Sequence, residues 1–157
     1  MIGLSVKAAD GKGNFRNVKP GDNVCIAAGS RVSLTLRNFD GAAGAPVVFR
    51  NFGGAVVFDG SAKVALKVQS TSHLRLTGSG EPPVKYGLQV RGTYKSGLKV
   101  DSESSDVEID HIQVGRTTGG RGIELSSKSV RLHSNLIEQA GPPPSPPTGL
   151  RVIRVEP

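Results

Sequence analysis

Two lysines, Lys67 and Lys99, occupy the same place in two similar phrases, Ala65-Leu66-Lys67-Val68-Gln69 and Gly97-Leu98-Lys99-Val100-Asp101. On a strand whose flanking apolar residues point inward, both lysines point outward. A neutral lysine can remove the proton next to a carboxylate if a cation, here Arg37 or a metal, neutralises that carboxylate. Two ammonium groups one rung apart favour proton loss from one of them, unless Glu124 and Asp101 offset the repulsion. A second use of the same face is to bind sugar through Arg37, Lys67, Gln69, Lys99, Asp101 and Glu124. The plainer reading is a solvated face whose charges keep a sheet soluble.

Other reactive residue types are scattered. Asp101, Glu103, Asp106, Glu108 and Asp110 form an acidic run that could take Ca2+, which wants six to eight oxygens. Glu108 alternates with apolar Val107 and Ile109, however, and EF-hand spacing is absent, so a solvated turn is expected and no metal site is assigned. His73, His111 and His133 stand far apart in sequence and read as hydrogen-bonded turn residues. Cys25 lies between Val24 and Ile26, should face outward, and has no acid or histidine nearby to activate it. As the single cysteine it also rules out an internal disulfide or a multi-cysteine zinc site. Gly11-Lys12-Gly13 lacks P-loop spacing, and Gly119-Gly120-Arg121-Gly122 reads as a flexible turn. Arg75, Glu108 and Arg131 form an outward series of alternating sign, a structural ladder.

The elements that must carry these residues are short strands. Helical periodicity is missing, and alternating runs recur, bounded by Gly, Ser, Asn or Asp. Leu34, Leu66, Leu98 and Ile123 centre one set, preceded by Gly3-Leu4-Ser5-Val6-Lys7. A second set holds Val24-Cys25-Ile26, Val47-Val48-Phe49, Leu74-Arg75-Leu76, Val107-Glu108-Ile109 and Val130-Arg131-Leu132. The third comprises Val56-Val57-Phe58, Leu88-Gln89-Val90, Ile112-Gln113-Val114 and Leu136-Ile137-Glu138. A period of this size predicts a solenoid: an all-β, single-stranded right-handed parallel β-helix of about five coils. Its outward columns would be Ser5, Thr35, Lys67, Lys99, Glu124 and Lys7, Arg37, Gln69, Asp101, Ser126. The competing architecture is an antiparallel sandwich, for which tight hairpin signals are poor. An exposed coil end could pair with another chain.

The chain has 157 residues, with 20 Lys and Arg against 13 Asp and Glu, a net charge of +7. That balance favours polyanions such as uronate-rich polysaccharides. Five Phe, two Tyr and no Trp make poor stacking platforms for nucleic acid. No apolar run suggests a membrane span, and the start shows no signal peptide, as in a cytoplasmic protein or a mature chain that has lost its leader. Residues 1–141 read as the solenoid domain. Residues 142–157, opening with Pro142-Pro143-Pro144-Ser145-Pro146-Pro147, read as a semi-rigid linker and tail. The stretch from Thr148 to Val155 resembles the opening strand of a fibronectin type III module, which implies further domains in a longer parent protein.

Val18-Lys19-Pro20-Gly21-Asp22-Asn23-Val24-Cys25-Ile26-Ala27-Ala28-Gly29 resembles the opening of secreted right-handed parallel β-helix proteins of the pectate-lyase-like superfamily, including the chondroitinase B and alginate lyase relatives. His73-Leu74-Arg75-Leu76-Thr77-Gly78, Tyr86-Gly87-Leu88-Gln89-Val90 and Ser104-Ser105-Asp106-Val107-Glu108-Ile109-Asp110-His111-Ile112 are similar to phrases of the same group. The resemblance spans about residues 3–140 and implies a secreted or cell-surface bacterial protein associated with polysaccharide. No residue matches the family's catalytic lysine and arginine in a shared motif, and five coils is short for a lyase. The expected role is therefore a polysaccharide-binding domain. The alternatives are a lyase acting by β-elimination on an acidic polysaccharide, with Lys99 or Lys67 as base, and a structural spacer or adhesin segment.

Overall fold

The computed structural model describes residues 1–115, 121–127 and 129–138. The expected linker and tail, 142–157, lie outside the described residues. The strands are β1 (Ala8–Asp10), β2 (Asn23–Arg31), β3 (Leu34–Arg37), β4 (Val47–Phe58), β5 (Ser61–Gln69), β6 (Ser72–Thr77), β7 (Leu88–Val90), β8 (Thr93–Val100), β9 (Ser105–Asp110), β10 (Ile112–Val114), β11 (Arg121–Leu125), β12 (Val130–His133) and β13 (Leu136–Ile137). No helix occurs among the described residues.

Two sheets result. One has five strands in the order β1-β3-β5-β8-β11, and the other has eight, with β4 central to the order β12-β9-β6-β4-β7-β10-β13 and β2 also paired to β4. Every pairing between these strands is parallel. The antiparallel sandwich is thereby excluded; among the described residues, antiparallel pairing is confined to the isolated bridge Ala42↔Ala45. Strand β4 turns midway at Gly53 and Gly54, whose φ of 78° and 124° suit glycine and few other residues. Its first half, Val47–Arg50, pairs with β6, and its second half, Val56–Phe58, pairs with β7.

Strand alternation puts one apolar set inside. Leu34, Leu66 and Leu98 are register partners, as are Leu36, Val68 and Val100. Phe49, Leu76 and Ile109 align in the other sheet, followed by Phe58, Val90 and Val114. All are fully or almost fully buried in one continuous core. Phe39 meets Phe49 edge to face at 4.8 Å between ring centres, and the buried Tyr94 donates its hydroxyl to the Val32 carbonyl at 2.6 Å.

The first rung differs from the expected column. Thr35 is registered with Ala8 and Arg37 with Asp10, in place of Ser5 and Lys7. The run from Gly3 to Lys7 imitates alternation, but it is a turn in which the Val6 N–H bonds the Gly3 carbonyl. Leu4 is left 49% exposed while Ile2 is buried. Ala9 then occupies the inward position.

The corners between strands repeat as well. Asn38 stacks on Ser70 and His111 on Ser134 between strands, and His73 on Asp106 near the start of β6 and β9, each with φ between 47° and 58°. Gly11, Gly41 and Gly78 come one rung before Asn38, His73 and His111 and lie against their carbonyls. The amides of these glycines bond the carbonyls of Arg37, Ser72 and Asp110, continuing the ladders around each bend.

Candidate functional site

The outer face of the five-stranded sheet carries the expected column from its second rung onward. Thr35, Lys67, Lys99 and Glu124 are successive register partners. Lys67 donates to Gln69 Oε1 at 2.8 Å. Lys99 pairs with Glu124 Oε1 at 2.6 Å, and Ser96 donates to the other oxygen of Glu124 at 2.9 Å. Arg121 approaches Oε1 at 3.5 Å. The Lys99 hydrogen bond, then that of Ser96, and the charges of Lys99 and Arg121 hold the Glu124 carboxyl below the usual carboxylate range.

The remaining candidates are divided between neighbouring groups. Arg37 is paired with Asp10 Oδ2 at 2.9 Å. That carboxyl is held low chiefly by the Asn38 side chain, with help from the Lys12 amide and from Arg37. Asp101 is a corner residue: its Oδ1 accepts from the Ser70 amide at 3.2 Å and the Ser104 hydroxyl at 2.9 Å. It does not serve Lys99.

Beside Glu124 lies a recess of about 270 Å3, walled by Lys63, Lys95, Ser96, Lys99, Arg121 and Glu124. Four cations and a single carboxylate thus line one recess. Lys63 and Lys95 are exposed, and among the described residues neither has a carboxylate within ion-pair distance. Sequence reasoning passed over both, although they repeat at the same interval as Lys67 and Lys99 and fall between the partners Ala62↔Tyr94 and Val64↔Ser96. Arg121, expected in a flexible turn, lies instead in β11.

A second group sits on the eight-stranded sheet. The ladder Arg75, Glu108, Arg131 forms as expected, with Glu108 at 3.4 Å from Arg75 and 3.1 Å from Arg131. Beside it, Thr77, Asp110 and His133 are register partners. Asp110 is wholly buried, contrary to the solvated turn expected of the acidic run. Its Oδ1 accepts from Thr77 at 2.5 Å and faces His111 Nδ1 at 2.6 Å, while Oδ2 accepts from Arg75 at 2.9 Å. Burial pushes the carboxyl up, but the bonds from Arg75, Thr77 and His111 outweigh it and hold it low.

The histidines are therefore not remote from acids. His133 Nε2 lies 3.1 Å from Glu108 and 3.9 Å from Asp110, and His73 lies 3.7 Å from Asp106. His111 lies in the bend between β9 and β10 and bonds Asp110, as expected, whereas His73 lies within β6 and His133 ends β12. A groove of about 540 Å3 runs alongside, bounded by His73, Arg75, Asp106, Glu108 and Arg131. The other acids of the run take separate partners: Glu103 accepts from Ser70 and Asp106 from Ser129. Cys25 faces outward between buried Val24 and Ile26, as expected.

Comparison of the chain with protein-family models, curated proteins and solved structures returns no match.

Proposed function

We propose that this chain is a non-catalytic polysaccharide-binding domain of a secreted or cell-surface protein, built as a right-handed parallel β-helix of about five coils. Support for the winding comes from chain order. The strands visit the five-stranded sheet, the β6 side of β4 and the β7 side of β4 in the same sequence each time, and all register is parallel. The observation that carries the binding reading is the recess on the five-stranded sheet, where Lys63, Lys95, Lys99 and Arg121 share the lining with one carboxylate. Such a row suits a polymer with regularly spaced carboxylates, because cations one rung apart, about 4.8 Å, meet successive charged groups along an extended chain.

The β-elimination reading needs an amine free to accept a proton. Lys99 is committed to Glu124 and Lys67 to Gln69, so binding without turnover is favoured. Affinity electrophoresis through gels containing pectate or alginate, with a neutral glucan as control, tests this. The chain should be retarded by an acidic polymer and not by the glucan. The double variant Lys63→Glu, Lys95→Glu should lose about tenfold or more in affinity, and Glu124→Gln should be retarded more strongly. Equal migration in all gels would leave the fold as a spacer, and clearing of the polymer behind the band would restore the lyase.

A further inference from the structure

We propose that Glu108, Asp110 and His133 form a binding site for a divalent transition metal, Zn2+ in the first place, in which the ion and the Arg75 guanidinium compete for the same carboxylates. The three side chains come from two adjacent strands. Glu108 and Asp110 are two residues apart on β9, and His133 is the register partner of Asp110 on β12. Their ligand atoms all lie within 4.8 Å of one another.

The spacing is close to what the metal requires. Ligands at about 2.0–2.1 Å from a tetrahedral Zn2+ stand about 3.3 Å from each other. His133 Nε2 is 3.1 Å from the Glu108 oxygen and 3.9 Å from Asp110 Oδ2. A small movement of the partly exposed Glu108 side chain closes the set. Three protein ligands leave a fourth position, and the adjoining groove, which Glu108 lines, supplies water to fill it.

Asp110 carries the second argument. Thr77 and His111 occupy only Oδ1, which fixes the carboxylate as outer-sphere partners fix metal ligands. Oδ2 faces His133 and is held by Arg75. A wholly buried carboxylate needs a cation, and Arg75, 39% exposed, is a side chain that can swing into solvent and yield its place. Arg75 also reaches Glu108, so a single guanidinium bridges the two carboxylates that a divalent ion would bridge. The arrangement is independent of the basic recess, which lies on the other sheet.

The test uses the purified chain with Zn2+ alone in equilibrium dialysis and Co2+ alone by visible absorption. One ion per chain should bind, with a four- or five-coordinate Co2+ spectrum. His133→Ala and Glu108→Gln should each weaken binding by about tenfold or more. Arg75→Gln should tighten it by about tenfold, the reverse of what a merely structural arginine would give. His73→Ala, which removes a neighbouring imidazole outside the set, should change nothing. The proposal fails if Zn2+ does not bind at one per chain, if binding survives His133→Ala and Glu108→Gln, or if Arg75→Gln weakens it. Asp110→Asn is not used as the deciding variant, because an unfolded product would imitate lost binding.

Discussion

Glu124 takes a hydrogen bond from Lys99, another from Ser96 and a more distant charge from Arg121, so one side chain ties together three residues of the basic recess. Its carboxyl is held below the ordinary glutamate value of 4.5, which fixes the sign of its contribution with pH. The unfolded chain binds the proton more tightly than the folded one, so the stabilisation is present above about 4.5 and is lost as pH falls from there through the lower folded value. Urea unfolding midpoints of wild type and Glu124→Gln, measured between pH 7 and pH 3, should differ most at neutral pH and converge in acid. A constant difference across that range would show that the Lys99 pair adds no pH-dependent stability. This arrangement was partly legible from sequence, because Leu98 and Ile123 keep the apolar period that aligns Lys99 with Glu124. The Asp110 cluster was not recognised, since twenty-three residues separate Asp110 from His133 and only strand register joins them. The signal was nevertheless present: pairing Val107 with Val130 places 110 opposite 133.

At the scale of the element, the corners decide whether successive rungs stay in register. Gly78 donates its amide to the Asp110 carbonyl and lies so close to the His111 carbonyl and the Gly87 amide that a Cβ would overlap both. Gly11 and Gly41 make the same approach to the Asn38 and His73 carbonyls. Backbone cannot yield as a flexible side chain does, so Gly78→Ala should destabilise the chain by about 1–3 kcal/mol. Gly3→Ala, with open space around its Cβ, should stay within about 0.5 kcal/mol of wild type. Chemical denaturation of the two variants checks the contrast, and equal stability would mean that the corners relax freely. The sequence displays these glycines without showing what they touch. Contact with a chain segment about thirty residues away leaves no local mark. The same limit explains the first rung: Gly3 to Lys7 has strand-like alternation, and only the burial of Ile2 and Ala9 distinguishes it from β1.

Across the molecule, apolar residues lie in columns and each rung is covered by the next, so protection should follow position in the stack. Leu66, Leu98, Leu76 and Ile109 are fully buried, with paired strands on both sides. Strands β11, β12 and β13 end the sheet orders. There Leu125, Leu132, Leu136 and Ile137 are 39–41% exposed. When each rung touches mainly its neighbours, stability is a sum of rung and interface terms, and the terminal rung can open without the rest. Amide exchange should therefore be slowest in β5, β6 and β9 and at least about tenfold faster in β11 to β13. Truncating an inner residue, as in Ile109→Ala, should lower global stability by about 2–5 kcal/mol. Ile123→Ala should lower it far less and speed exchange mainly in β11 to β13. Uniform protection through β13 would overturn this gradient. It would mean that the exposed leucines and Ile137 are covered in solution, and concentration dependence of that protection would identify the cover as a second copy of the chain pairing at the open strand edges.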